Sequence, residues 1–364
     1  MIYNLYSPKK ILNVHKHING GMFWEKYTAH PYIGCQHGCK FCYAVGTKYC
    51  SYKNTDDYST VIMVKENAPQ LLTKELSKVK KDIIIVGDYQ PAEAKYMLSR
   101  KMLEVCLELQ FPVLIIERSP LVLRDLDILI DINKQSWACV IFSISYYTSK
   151  GYQEFFEPTS PLIESRFEAM KKIAFAGINT GIAFMPILPF ICDSDENIEK
   201  VILNTKESAG QFVIPGGLSL EIGQKEKYME IIKKYFPDKV VYYEEYLSNN
   251  YFQARHYSCL VSKKVNYFCN KHNLPDMMAR YISTDQYFLN KKVAEKLFFK
   301  IHDMEIKNES ISKIWEYRKA AWSIDEMQDD IGVLFSLEGL NGLKKIASSN
   351  ADILSNIAMI INSI

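Results

Sequence analysis

No run of apolar residues in this 364-residue chain approaches the ~18–20 that span a bilayer. The opening stretch MIYNLYSPKK holds no signal-peptide core. Charge of one sign is also lacking: 44 Lys and Arg against 42 Asp and Glu leave a net +2, so bulk electrostatics send the chain to neither nucleic acid nor membrane. Nine cysteines over this length do not form the dense framework of a disulfide-stapled secreted domain. No internal repeat or low-complexity tract stands out. These absences leave a globular protein with an expected cytoplasmic location and no membrane partner. The length suits one large domain and a smaller one.

Against that background one stretch carries chemistry. In PYIGCQHGCKFCYA, Cys35, Cys39 and Cys42 follow the spacing Cys-x-x-x-Cys-x-x-Cys. Thiolates are the usual protein ligands of iron–sulfur clusters, and three of them leave one iron of a four-iron cluster open to a small molecule. Gly34, Gly38 and the small polar Gln36 let the loop fold back on such a group, while Phe41 and Tyr43 flank the last cysteine as aromatic covers. A zinc site is the competing reading, with His37 or Cys50 as fourth ligand. Zinc motifs usually add a second Cys/His pair at a distance, and none is evident.

From residue 80 short apolar runs alternate with amphipathic stretches. IIIVG (83–87), VLIIE (113–117), ACVIFSIS (138–145), TGIAFMPI (180–187) and QFVIPG (211–216) read as strands buried on both faces. Leu98, Met102, Val105, Cys106 and Leu109 share one face of a helix, and 160–177 carries start and stop signals in Pro161 and Gly177. Taking YIG (32–34) as the first strand gives six strand–helix units. The stretch 246–300 is rich in Tyr and Phe without a clear period, and from Ile314 the pattern turns helical. The expected organisation is an α/β domain over 1–245, an irregular extension over 246–300 and a helical module over 301–364.

The cysteine triad resembles that of the radical S-adenosylmethionine superfamily. VGDYQPAEAKYMLSRKMLE (86–104), LIIERSPLVLRDLDIL (114–129), EPTSPLIESRFEAMKKIAFAGI (157–178) and MPILP (185–189) are similar to its spore-photoproduct-lyase-like branch, from about Tyr32 to Leu220. The resemblance implies a partial (β/α)6 TIM-like barrel with ligands at the C-terminal strand ends. It further implies a [4Fe-4S] cluster, S-adenosyl-L-methionine and a one-electron donor such as flavodoxin or ferredoxin.

On the same resemblance, Asp88, Tyr89 and Gln90 lie near the ligand's amine, with Asp88 alternatively capping the helix that starts near Pro91. Arg118 stands where relatives carry a lysine for the ligand carboxylate; a surface ion pair with Glu117 or Asp125 is its ordinary alternative. Ser143 suits a ribose or carboxylate contact, Glu157 the ribose hydroxyls and Arg166 the carboxylate. Glu157 and Arg166 equally suit a salt bridge at a helix start. Met185 and Pro186 fit beside the adenine. Cys106 and Cys139 read as core, and Cys259 and Cys269 are too far apart for a cluster loop. Cys192 follows strand five on the active-site side, a candidate hydrogen donor whose plainer reading is a solvent-facing loop thiol. The branch's namesake carries its donor cysteine where this chain has Ile85.

The C-terminus, YRKAAWSIDEMQDDIGVLF and LKKIASSNADILSNIAMII, is similar to the helix–hairpin–helix module of family-X DNA polymerases. Its hairpin glycines are replaced by Ser348 and Asn350, and residues 301–364 sum to a net −4, which repels phosphate. Three classes of function stay open: a radical enzyme on nucleic acid, one on a peptide or small metabolite, and a non-catalytic cluster-binding protein.

Overall fold

The computed structural model describes residues 1–364 apart from 46–51, 53, 221–223, 249–250 and 348–349, so Cys50 and Ser348 lie outside the described residues. The chain divides into two units. A sheet unit comprises 1–15 and 27–278, and a helical unit comprises 16–26 and 279–364.

The sheet unit is mixed α/β. Its strands are β1 (Ile2–Tyr6), β2 (Leu12–Val14), β3 (Tyr27–Ala29), β4 (Tyr32–Ile33), β5 (Val61–Lys65), β6 (Ile84–Val86), β7 (Val113–Glu117), β8 (Ala138–Ser143), β9 (Asn179–Ile187) and β10 (Val213–Gly217). Seven form one sheet in the order β10-β9-β8-β7-β6-β3-β2. Six of these run parallel, and β2 pairs antiparallel with β3 at one edge. The parallel strands follow chain order without reversal, as successive crossovers through helices require. Their apolar runs are buried on both faces, Val113 to Ile115 and Ala138 to Phe142 being inaccessible. Helices such as Leu98–Glu108 pack over them, with Leu98, Met102, Val105 and Cys106 turned inward.

One strand differs from expectation. Tyr32–Ile33 is not the first strand of the large sheet. It pairs antiparallel with β5 in a separate three-stranded sheet, ordered β1-β5-β4, and Tyr27–Ala29 takes the first parallel position beside β6. A three-residue strand of Tyr, Thr and Ala has no apolar run to announce it. The helix in the 160–177 segment begins later than its proline suggests, spanning Ile163–Phe175.

The stretch 246–300, expected to be irregular, contains the helices Tyr251–Lys271 and Phe288–Ile306. Val261, Val265, Phe268 and Cys269 bury one face of the first, and Val293, Leu297, Ile301 and Met304 belong to the buried set of the second. Aromatics scattered on the other faces hide that period in the sequence.

In the helical unit, Phe288–Ile306, Ile311–Asp325, Ile331–Ala347 and Ala351–Ser363 follow one another. Trp24, with φ of 60°, is fully buried and meets Phe298 edge-on at 5.6 Å. No helix among the described residues is long and apolar enough to cross a membrane.

Candidate functional site

The cysteine loop follows β4 of the three-stranded sheet and bonds to Gln90, just past β6, and to Thr159, beyond β8. Gly34 opens it at φ +88°, and a Cβ there would stand 2.7 Å from the Val61 carbonyl, so only glycine makes the turn. Gly38 adopts φ +57° at the second bend. Short backbone bonds then coil the loop: Gly38 N–H to Cys35 C=O at 3.3 Å and Cys42 N–H to Cys39 C=O at 3.2 Å. Other segments hold it in place, with the Tyr58 carbonyl accepting from Cys35 N–H at 2.8 Å and the Phe156 carbonyl accepting from Lys40 N–H at 2.9 Å. The Gln224 amide donates to the Cys42 carbonyl.

All three cysteines are free and half-buried. Burial pushes the Cys35 thiol well up, and the neighbouring Cys39 and Cys42 push it further. Cys42 is raised to about 11 by burial and by Cys39, against the opposing pull of Arg118. The thiols therefore share one electrostatic neighbourhood. Among the described residues, however, no three or more His, Cys, Asp or Glu side chains are grouped to hold a metal ion.

Beside the thiols lies a buried charge system. Arg118, just past β7, donates from Nη1 to Glu157 Oε1 at 2.9 Å, and its guanidinium stands 5.8 Å over the Phe41 ring. Arg166 donates from Nη2 to Glu157 Oε2 and from Nη1 to the Ser143 carbonyl at 3.0 Å. It also donates to the Pro161 carbonyl from Nε at 3.1 Å and from Nη2 at 2.8 Å. Glu157 and Arg166 are inaccessible. Burial alone would raise the Glu157 carboxyl, but Arg166 and Arg118 outweigh it and hold it below the usual range. Two cations on one carboxylate leave a net positive charge next to Cys39 and Cys42, which lie within the reach of Arg118.

Several expected contacts are relocated. Arg118 pairs with Glu157, not with Glu117 or Asp125. Arg166 sits behind Glu157 with its donors occupied, the salt-bridge alternative. Asp88 caps no helix: Gln90 holds the cap position before Pro91–Tyr96, and Asp88 Oδ1 meets His30 Nδ1 at 3.2 Å. The Tyr89 ring is buried in the core with its hydroxyl donating to Asp125 at 3.0 Å. Gln90 is buried and bonds to the cysteine loop. Ser143 ends β8 half-buried, offering its carbonyl to Arg166, and Met185 and Pro186 lie half-buried near the end of β9. Phe41 is buried, whereas Tyr43 is exposed. Cys192 is no solvent-facing thiol: it is inaccessible, and burial raises its thiol well above the ordinary value. Cys106 and Cys139 are core, as expected.

Sequence reasoning weighed His37 only as a fourth zinc ligand and passed over Ser145, Tyr152 and Gln153. All four are buried, yet both His37 ring nitrogens, Ser145 Oγ, Tyr152 OH and Gln153 Oε1 have no hydrogen-bond partner among the described residues. Tyr152 and His37 both feel the charges of Arg118 and Glu157. Buried polar atoms left unmade are costly, so such a concentration marks a place for a polar ligand or ordered water. Glu117, at the end of β7, is a further buried carboxyl. Burial raises it to about 7, although it accepts the N–H groups of Tyr89 and Arg118. The three soft thiols suit an iron–sulfur cluster, and the orphaned polar atoms beside a cation suit S-adenosylmethionine. The residues present fit both groups in donor chemistry.

No protein-family model matches the chain. It is 33% identical over 182 residues to an uncharacterised protein of Methanocaldococcus jannaschii, covering 50% of this chain and 66% of that one. It is 25% identical over 227 residues to an uncharacterised protein of Mycobacterium tuberculosis, covering 60% of this chain and 66% of that one. The chain thus spans just under two thirds of the length of these relatives. Among solved structures it matches a spore photoproduct lyase mutant with a TM-score of 0.48 at 14% identity, over 64% of this chain and 66% of that one. A spore photoproduct lyase mutant with bound AdoMet and dinucleoside spore photoproduct matches with a TM-score of 0.47 at 14% identity over the same shares.

Proposed function

We propose that the chain is a radical S-adenosylmethionine enzyme whose parallel sheet forms a partial (β/α)6 barrel. The observation that carries this reading is that Cys35, Cys39 and Cys42 share one clasped loop beside Arg118. These thiols would hold a [4Fe-4S] cluster. When bound and reduced by a donor such as flavodoxin or ferredoxin, that cluster supplies the electron that splits S-adenosylmethionine into methionine and a 5′-deoxyadenosyl radical, which takes hydrogen from the substrate.

In this reading Arg118 faces the ligand carboxylate. Glu157 fixes the Arg118 guanidinium, and Arg166, anchored on the Ser143 and Pro161 carbonyls, fixes Glu157 in turn. Phe41 closes the floor beneath Arg118. Tyr43, Asp88, Met185 and Pro186 remain assigned to the ligand's rim. Tyr89 and Gln90 contribute through backbone and loop support.

The substrate class we favour is a nucleic-acid lesion or base, with a peptide or small metabolite as the alternative. Spore photoproduct itself is disfavoured. Ile85, where the lyase-like branch carries its donor thiol, lies buried within β6, and Cys192 is enclosed. The C-terminal helices add little attraction for DNA. Asn350 caps Ala351–Ser363 by accepting from Asp352 N–H, its amide donates to Glu316, and the acidic Asp352 occupies the first turn where a phosphate would sit.

The test is anaerobic reconstitution of the full chain, expected to give about four irons per chain. Reduction in the presence of S-adenosylmethionine should then release methionine and 5′-deoxyadenosine. A loaded cluster whose spectrum ignores S-adenosylmethionine, with no cleavage, would replace the enzyme by a cluster-binding protein.

A further inference from the structure

The cysteine loop is gripped from two strand ends that lie far apart in sequence. After β6, Gln90 uses both ends of its amide: Oε1 accepts from Gln36 N–H at 3.0 Å, and Nε2 donates to the Gly34 carbonyl at 2.9 Å. Those two backbone groups flank Cys35. Gln36 answers with its own side chain, Oε1 accepting from Ala92 N–H at 2.6 Å in the helix Pro91–Tyr96. The Gln36 amide nitrogen also reaches the Tyr3 hydroxyl at 3.2 Å.

On the other side, beyond β8, Thr159 Oγ1 lies 3.0 Å from the Gln36 carbonyl and 2.7 Å from the His37 carbonyl. Ser160 Oγ lies 3.4 Å from the His37 carbonyl and 3.6 Å from Cys39 Sγ. A short loop with two positive-φ glycines has much freedom to lose when its thiols converge on a metal. Contacts that fix it in advance remove that cost from the binding step.

We propose that Gln90 and the Thr159–Ser160 pair are positioning residues for the metal: they hold the Cys35 and Cys39 limbs in shape before metal arrives, and Ser160 gives its hydroxyl to the Cys39 sulfur. This rests on the reading of Cys35, Cys39 and Cys42 as cluster ligands, and it moves Gln90 from ligand contact to loop brace. Hydrogen bonds to cluster sulfurs raise the reduction potential, so the Ser160 hydroxyl tunes the site as well as holding it.

Two measurements on the full chain test the proposal. In metal-free protein, hydrogen exchange at Gln36 N–H should quicken about tenfold or more in Gln90→Leu, with β7 and β8 amides unchanged. Thr159→Val should likewise quicken exchange across 36–40, which keeps the test intact should Gln90→Leu disturb the fold. Unchanged exchange in both overturns the brace. On anaerobic loading, both variants should take up a fraction of the wild-type iron, and Gln90→Glu, which keeps the acceptor for Gln36, should recover part. Full loading of both overturns the positioning role. Ser160→Ala should load but shift the reduced-cluster signal to a more negative potential in an EPR-monitored titration, with Ser160→Thr restoring it; an unmoved potential overturns the bond to Cys39. A wild type that takes up no iron overturns the metal reading, and the positioning role falls with it even where the exchange pattern holds.

Discussion

The sheet unit draws its large parallel sheet from successive strand–helix repeats, whereas the helical unit completes its core with a segment from the far end of the chain. Ile18 and Trp24 are buried in the helical unit although more than 250 residues separate them from the helices they pack with. The Trp322 indole donates to the Ile18 carbonyl at 3.0 Å, and a Cβ on Gly20 would meet the Phe298 ring at 2.5 Å. Arg280, buried in the same unit, lies 5.5 Å over the Trp24 ring and pairs with Asp325. The candidate ligand residues all belong to the sheet unit. One unit holds the candidate site; the other depends on a distant segment for its own stability.

That contrast predicts separable phenotypes. The largest effect belongs to Cys35, Cys39 and Cys42: replacing all three with Ala should take iron from about four per chain to none. Elemental analysis decides it, and a full complement in the triple variant sinks the assignment. Next, the fragment 279–364 should show no cooperative unfolding by circular dichroism, because it lacks 16–26. A sharp melt would mean the distant segment is dispensable.

Within the intact chain, Trp24→Ala should cost about 3–5 kcal/mol in denaturant unfolding, the usual range for a large buried aromatic. It should leave iron loading unaltered. Glu157→Gln should cost roughly 3 kcal/mol, since it leaves two buried guanidinium groups without their anion. A loss under about 1 kcal/mol would indicate a solvated pair instead.

The last effect is confined to a pH window. Burial raises the Glu25 carboxyl from 4.5 to about 7, against its own backbone and Asn19, and Oε2 has no hydrogen-bond partner among the described residues. A carboxyl whose folded pKa exceeds its unfolded value binds protons more tightly when folded. Stability should therefore fall as pH rises from about 4.5 to about 7 and change little from this group above that. Glu25→Gln should remove the penalty, gaining up to ~3 kcal/mol at pH 8 and little at pH 4. Equal gains at both pH values would show that the carboxyl is not protonated in the folded state.

Much of the parallel sheet is legible in the chain because strands buried on both faces must be apolar throughout: the run at 113–117 coincides with β7, and the run at 138–145 starts with β8 and overshoots its end by two residues. Tyr27–Ala29 is invisible by the same rule, being three residues with one polar member. The helix Tyr251–Lys271 hides behind exposed aromatics such as Tyr267, which blur the period of its buried face. At the site, the Cys spacing points to three thiols sharing a neighbourhood. No local signal marks Gln90 as a brace or Tyr152 as an orphaned hydroxyl, since each is defined by partners, or their absence, on other strands.

The sequence by itself determined the elements whose physics is local: the cysteine spacing, the glycines that turn its loop, and the apolar periods of strand and helix. Tertiary structure alone decided which charges meet. Glu157 could have answered a ligand or a salt bridge at its helix start; burial between β8 and the helix Ile163–Phe175 gives both its oxygens to Arg118 and Arg166. Pairing a buried charge depends on distance and desolvation in three dimensions, and neither quantity is written in the order of residues.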